Sequence, residues 1–430
     1  MLKNWSRIAL ASVLVLMLGV VAANATTSRV RSLANVGDYI SDDSAVNRWY
    51  STLVSFGNQV NAEMGDWTNT DLTDSRGLGW NLTCGEDGKW GTYRVTLDEA
   101  SLSHPGFWIG NPFYQTQAPQ DLGFPVGSIA FPYNNTPLNR WDIAGAWEIG
   151  DAFAVGASIT QSKWFVDDAA TPFKSDNSWL VLGLGGTWTN NDNMVLDVLF
   201  NFGNAGGKTE AAGVTTEWDS GTAFEFAGRL FWDWKDNVTL VPVFDYAQSD
   251  YSLKSSAGPL ATPNGQKTSS VMLGVGLNMD VNQDNMLVFA LEWADNKAEY
   301  SNADNTAPAA AAKASLTYMP TLRLALESDI TPWLTTRIGA AKYIGTLKVE
   351  NQAGQEVKTG PGQPWDYNTP NGFDWFLGCG FNFAEWTVDM ELASETPFGL
   401  GYWLTGYNQI WDETSGGFGP VGRISAVYNY

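Results

Sequence analysis

Charged side chains spaced for one face of a strand are the residues of this chain best placed to do chemistry. Glu225, Arg229 and Asp233 recur every four residues in Phe224-Glu-Phe-Ala-Gly-Arg-Leu-Phe-Trp-Asp-Trp234. Successive side chains of a strand point to opposite faces, so the three charges share one face. Phe224, Phe226, Gly228, Leu230, Trp232 and Trp234 share the other. The same parity argument assigns Arg94, Asp142, Glu148, Asp197, Asp245, Glu292, Arg323, Glu327, Arg337, Asp374, Asp389, Glu391 and Arg423 to the charged face, where five arginines meet eleven carboxylates. Two arrangements suit such a set. Around an open tube the charges line a cation-leaning water path. In a filled tube they form ion-paired networks that tie the filling to the wall. On either reading a charge reversal at Glu225 should be mild for folding, because water inside the tube can hydrate it.

Covalent catalysis finds little support. A hydrolytic site needs a nucleophile or activated water with a positioned base, usually histidine. The only histidine is His104, in a loop-like Ser103-His-Pro-Gly106, and one histidine with the distant Cys84 and Cys379 cannot build a zinc site. The expectation is a protein that is not an enzyme and carries no cofactor and no metal. Two cysteines cannot be the framework of an exported chain, though the sequence leaves a bridge between them open. Parity puts Cys379 on the apolar face with Trp375, Leu377 and Phe381, as a buried thiol.

The elements that must position these charges are strands. Turn signals recur at Ile149-Gly-Asp151, Asn190-Asn-Asp-Asn193, Lys235-Asp-Asn237, Asn282-Gln-Asp-Asn285, Asp329-Ile-Thr-Pro332 and Ala384-Glu385. From Asp151 to Asp192, Asp236 and Asp284 the steps are 41, 44 and 48 residues, room for two strands and one longer loop per period. Trp147, Trp188, Trp234, Trp333 and Trp386 cluster beside these turns, as an interfacial aromatic girdle would. Between them the faces hold register. Met194, Leu196, Val198, Phe200 and Phe202 oppose Asp197 and Asn201. Leu316, Tyr318, Leu322, Leu324 and Leu326 oppose Thr317, Thr321, Arg323 and Ala325. Pro242 and Pro320 fall inside strand patterns, where each removes a ladder hydrogen bond. The last stretch, Gly422-Arg-Ile-Ser-Ala-Val-Tyr-Asn-Tyr430, alternates in the same way and reads as a closing strand.

Composition agrees. The 430 residues include 44 Gly and 21 Trp, and 44% are hydrophobic, yet mean hydropathy is only −0.18. Half-apolar strands produce that combination. Lys3 and Arg7 precede an apolar run over residues 8–21 and the small-residue site Ala23-Asn24-Ala25, which reads as an export signal cleaved near Ala25. Beyond it, 22 basic residues face 46 acidic ones, a balance that repels nucleic acid. The sequence thus predicts an all-β protein: a transmembrane antiparallel up-and-down barrel of 14–16 strands over residues 54–430, with residues 26–53 as an N-terminal plug. The outer membrane of a Gram-negative-type envelope is the expected location. Residues 100–137 form the longest loop, and residues 305–312 read as a loop tip.

Residues 26–53 do not alternate. Within them, Arg31-Ser-Leu-Ala, Ser41-Asp-Asp-Ser-Ala-Val46 and Trp49-Tyr-Ser-Thr-Leu53 resemble the N-terminus of the long-chain fatty acid transporter family of outer-membrane barrels. The resemblance spans about 25 residues of the 430. It departs at Arg48-Trp-Tyr-Ser-Thr-Leu53, where family members carry an Asn-Pro-Ala-type segment. The resemblance implies a barrel of about fourteen strands, an N-terminal hatch and passage of hydrophobic molecules. Two functions therefore stand: a channel or transporter for small, including hydrophobic, molecules, or a non-conducting barrel serving as a scaffold or secretion-partner subunit. The partners expected are outer-membrane lipids, a small-molecule solute and a periplasmic or envelope protein.

Overall fold

Alternation drives the architecture: a strand with one apolar face in a bilayer must satisfy every backbone group sideways, and a closed sheet does so without an edge. The computed structural model describes residues 26–65, 75–85, 88–99, 139–168, 173–190, 193–211, 213–256, 265–301, 311–351, 354–360, 372–392 and 421–430. The export signal, His104, the loop over residues 100–137 and most of the tip at 305–312 lie outside them.

Seventeen strands form one antiparallel sheet. They are β1 (Gln59–Gly65), β2 (Ser75–Thr83), β3 (Thr92–Glu99), β4 (Asn139–Ile149), β5 (Phe153–Asp168), β6 (Phe173–Asn190), β7 (Met194–Ala211), β8 (Val214–Lys235) and β9 (Val238–Ser255). There follow β10 (Gly265–Asn282), β11 (Asn285–Ser301), β12 (Ala311–Thr331), β13 (Leu334–Asn351), β14 (Glu356–Thr359), β15 (Phe373–Phe383), β16 (Trp386–Leu392) and β17 (Val421–Asn429). Consecutive strands pair along the wall, except that β14 and β15 share β13, and β17 returns to β1, with Ala426 opposite Ala62. The barrel is therefore closed. Both β14 and β15 pair with β13, at Leu347–Glu350 and Leu334–Lys342 respectively, so they are two pieces of one stave and the wall has sixteen. Sixteen lies within the range expected from alternation and exceeds the fourteen implied by the family resemblance.

The apolar row faces outward. Leu180, Leu182 and Leu184 on β6, Val198, Phe200 and Phe202 on β7, and Trp232 and Trp234 on β8 are all exposed, while the alternate residues Val181, Leu199 and Arg229 are buried. In water such a surface would be an aggregation hazard; in lipid it is the solvated face. Trp147, Trp234, Trp333 and Trp386 stand exposed beside the short turns, and Trp386 packs on Tyr428 at 4.8 Å.

One face assignment is overturned. Below Thr321, β12 keeps Leu322, Leu324 and Leu326 outward, but its register with β13 shifts between Tyr318 and Thr321. A bulge inserts an extra residue and reverses parity beyond it. Leu316 is consequently buried opposite buried Leu347, and Tyr318 packs on Tyr343 inside the barrel rather than in lipid. Pro320, which lacks an N–H, sits within that bulge. Pro242 sits on β9 where its ladder to β8 skips from Val243 to Leu240. The two cysteines are both free.

Candidate functional site: the N-terminal segment and the inner wall

The segment over residues 26–53 folds locally as short turns fixed by their own caps. Thr26 accepts the amide hydrogen bond of Arg29 and starts the helix α1 (Thr27–Ser32). Asp42 accepts from the Ser44 amide at 2.6 Å and starts a 3₁₀ turn over Asp43–Asn47, and a second such turn covers Tyr50–Ser55. Single turns this short are not stable alone. Their apolar faces supply the missing stability by packing on the inner wall. Leu33, Val36, Tyr39 and Ile40 meet Val241, Val243, Val288, Ala290 and Ala325. Ala45, Trp49 and Tyr50 meet Leu199 and Ala227, and Val46 and Leu53 meet Ala144 and Ala146. Burying each large side chain contributes about 1.5–3 kcal/mol. The wall is cut to fit: a Cβ added at Gly276 would come within 2.5 Å of the Tyr39 ring, and one at Gly339 within 2.6 Å of the Ala34 nitrogen.

Three charged contacts hold the segment at separate points of the wall. Arg29 grips Glu327 with both arms of its fork, at 2.7 and 2.6 Å, and Glu327 also accepts from Arg337 at 2.6 Å. Arg337 donates onward to Asp389, which takes a further hydrogen bond from Thr26, and Arg31 pairs with Glu391 at 3.2 Å. Across the barrel Arg48 meets Asp38 and Glu225 at 2.7 Å each, and also Asp245. Arg229 pairs with Asp197 at 2.8 Å, donates to the carbonyls of Gly37 and Ile40, and stacks 4.6 Å from the Trp49 ring centre. At the third point Arg323 pairs with Glu292 and donates to the carbonyl of Ala34 at 2.7 Å. Ala34 and Asn35 both take φ of 58°, a left-handed conformation that side chains disfavour, so Arg323 holds a strained turn in place.

The sixteen charged positions read from parity thus divide. Asp197, Glu225, Arg229 and Asp245 gather around Arg48 and Trp49. Glu327, Arg337, Asp389 and Glu391 gather around Arg29 and Arg31, and Glu292 and Arg323 meet at Ala34. Arg94 donates to Thr96 and Asn81 within the wall, Asp142 is buried on β4, and Arg423 pairs with Glu63. Glu148, Asp233 and Asp374 are exposed: Asp233 accepts from Thr239, Asp374 meets Tyr343 beside Arg323, and Glu148 borders a cleft of about 280 Å³ beside Val54 and Thr92. The segment's own Arg29, Arg48, Asp38 and Asp42 were not singled out by parity, because a chain without alternation gives no face to count. Three arginines within twenty residues of an acidic chain were the available signal.

Glu225 does not have the hydrated surroundings expected of it. It is buried, accepts from Arg48, and takes a 2.8 Å hydrogen bond from Asn201, which in turn accepts from the Tyr50 hydroxyl. Charge reversal there would set two guanidinium groups together in a dry contact.

Two carboxyls of the segment respond to this setting in opposite directions. Burial pushes Asp38 up, but Arg48 and Arg229 outweigh it and hold the carboxyl below the usual aspartate range. Its pairing stabilises above the ordinary value of about 3.9 and is lost as pH falls through the depressed one. For Asp43 burial raises the value well above the ordinary range, Asp42 and Asp389 push the same way, and Arg94 and Arg29 oppose them. One of its oxygens is buried without a hydrogen-bond partner. The stability it contributes is complete below about pH 3.9 and is lost as pH rises through the raised value. Asp43→Asn, which mimics the protonated form, should therefore raise hydrogen-exchange protection of residues 42–47 several-fold at neutral pH. It should also flatten the dependence of that protection on pH. An unchanged profile would mean that the ionised carboxylate is tolerated where it sits.

No protein-family model matches the chain, and no curated protein matches it. Solved structures of similar fold include a FadL homologue of Pseudomonas aeruginosa, 13% identical with a TM-score of 0.39, covering 96% of this chain and 99% of that one. The toluene transporter TodX of Pseudomonas putida is 8% identical with a TM-score of 0.40, over 96% of this chain and 100% of that one. The alcaligin outer-membrane receptor FauA of Bordetella pertussis is 11% identical with a TM-score of 0.38, over 78% and 67%. Likeness at this level concerns the barrel fold alone.

Proposed function

We propose that this protein is an outer-membrane channel or transporter for small molecules, hydrophobic ones among them, in which residues 26–53 act as a hatch inside the barrel. The observation that carries the reading is the fit of that segment to the wall, through glycines, apolar patches and arginine forks at separated points. A passive tail would need none of these. A solute of apolar character is favoured by what the segment covers: Val241, Val243, Val288, Ala290 and Ala325 form an inward apolar surface that its departure would open to the lumen. The ionic contacts bind the segment by charge pairs that break and re-form without net exposure of lipid-facing surface. An envelope partner that engages the segment is a natural trigger for release.

Conductance across a planar bilayer tests the reading. The intact chain is expected to be nearly silent, and the chain lacking residues 26–53 to give steady ion flow. Silence in both forms would favour the alternative, a non-conducting scaffold or secretion-partner subunit. Equal flow in both would show that the segment closes nothing.

A further inference from the structure

The charges around the first turn of the N-terminal segment do not balance. Arg337 donates to Asp389 and Glu327, and Arg29 donates to Glu327 and, at 3.4 Å, to Asp42. Three carboxylates thus share two guanidinium groups. The neighbours do not fill the gap. Arg31 is matched by Glu391 and Arg423 by Glu63, while Arg94 has two acids near it, Asp43 and, diagonally across the ladder, Asp142. Protonation of Asp43 would ease the surroundings of Arg94 and leave the central shortfall as it is. Asp389 and Asp42 are 0% and 2% exposed, so bulk water does not solvate the excess. A buried carboxylate short of a cation is costly, and the fold therefore has room for one more positive charge here.

Thr26 stands at that point. Its hydroxyl donates to Asp389 at 2.8 Å, and the residue is buried against the wall. The nitrogen and Oγ1 of one threonine are about 3–4 Å apart, so the Thr26 nitrogen lies within about 6–7 Å of that carboxylate, in reach of a direct or water-bridged contact. The sequence places the export cleavage between Ala25 and Thr26. Hydrolysis of that peptide bond consumes one water, leaves a carboxylate on the released signal and leaves an ammonium on Thr26. We propose that this α-ammonium is the missing cation: it pairs with Asp389 and locks the first turn to the wall, so that the segment docks only in the processed chain. The proposal rests on cleavage after Ala25 and on the reading of residues 26–53 as a hatch. Helix α1 has no acid in its first turn, and an ammonium at the positive end of a helix is unfavourable unless an anion faces it. Asp389 on the wall is that anion. Burial also sets the order of events. Once docked, Thr26 sits inside the barrel where no peptidase reaches its nitrogen, so cleavage precedes docking.

The test compares two chemical forms of the full processed chain. Acetylation of the denatured protein at about pH 6.5, where lysine side chains stay protonated, caps the α-amine and abolishes its charge. Reductive methylation modifies the same amine and keeps the charge. Each form is refolded in neutral detergent, with heat-modifiable migration as the check that the barrel has formed. Hydrogen exchange over residues 26–33 is expected to be at least tenfold faster in the acetylated chain than in the unmodified one, and within twofold of it in the methylated chain. In D389N the acetylated and unmodified chains should exchange alike, because the partner of the ammonium is gone. If D389N does not fold, the comparison of acetylated with methylated wild type decides alone. Equal exchange in those two forms overturns the proposal. So does a membrane-extracted chain whose first residue, by mass spectrometry, is not Thr26. A segment unprotected even in the unmodified chain sinks the hatch reading and the ammonium with it. A protected segment indifferent to acetylation sinks the ammonium alone.

Discussion

Val198→Arg is expected to prevent most of the protein from reaching its heat-modifiable state in a lipid-assembly assay. Val198 is the midpoint of the outward row from Met194 to Phe202, exposed, and flanked across the sheet by Gly186 and Gly228. A charge near the bilayer midplane of a barrel costs about 2–4 kcal/mol. Among the described residues no wall glutamate or aspartate lies on that face nearby to pair with it, since Asp197 and Glu225 project to the other side and are already engaged. Val198→Leu, which keeps the apolar face, should assemble as the wild type does. If both variants assembled equally, the outward face would not lie in lipid.

Arg48→Ala is expected to release the segment without dismantling the barrel. Arg48 is the common partner of Asp38, Glu225 and Asp245, and its loss leaves three carboxylates facing one another with little water. Breaking a buried pair in this way costs about 3–5 kcal/mol. The ladder of β1 and β17 that closes the barrel includes none of these four residues, so migration on unheated gels should not change. Protease added to the folded protein should then cleave within residues 26–53, and conductance should rise toward that of the truncated chain. Arg48→Lys should fall between, because a single ammonium cannot fork to three carboxylates. A protected, silent Arg48→Ala would place the latch at Arg29 and Arg323 instead.

The sequence by itself determined the barrel. Phe224 to Trp234 can bury its apolar side only against lipid or a second sheet, and turn signals at steps of 41–48 residues leave room for little but hairpins. Alternation is a local property, so every regular strand reported its faces without help from distant residues. Where the ladder slips, that local signal fails: Pro320 marks a break in the ladder, but parity along Leu316-Thr-Tyr-Met319 does not say that the break turns Leu316 and Tyr318 inward. The tertiary structure alone decided which charges meet. Arg29 and Glu327 are 298 residues apart, and Arg48 and Glu225 are 177 apart; parity can place Glu327 and Glu225 inside but cannot say what faces them there. It took the segment's turns, too short to hold themselves, and a wall with Gly276 and Gly339 where Tyr39 and Ala34 lie, to convert a ring of inward charges into sockets for three arginines. Side-chain period is encoded residue by residue, whereas ion pairing across a lumen depends on where two distant stretches come to rest.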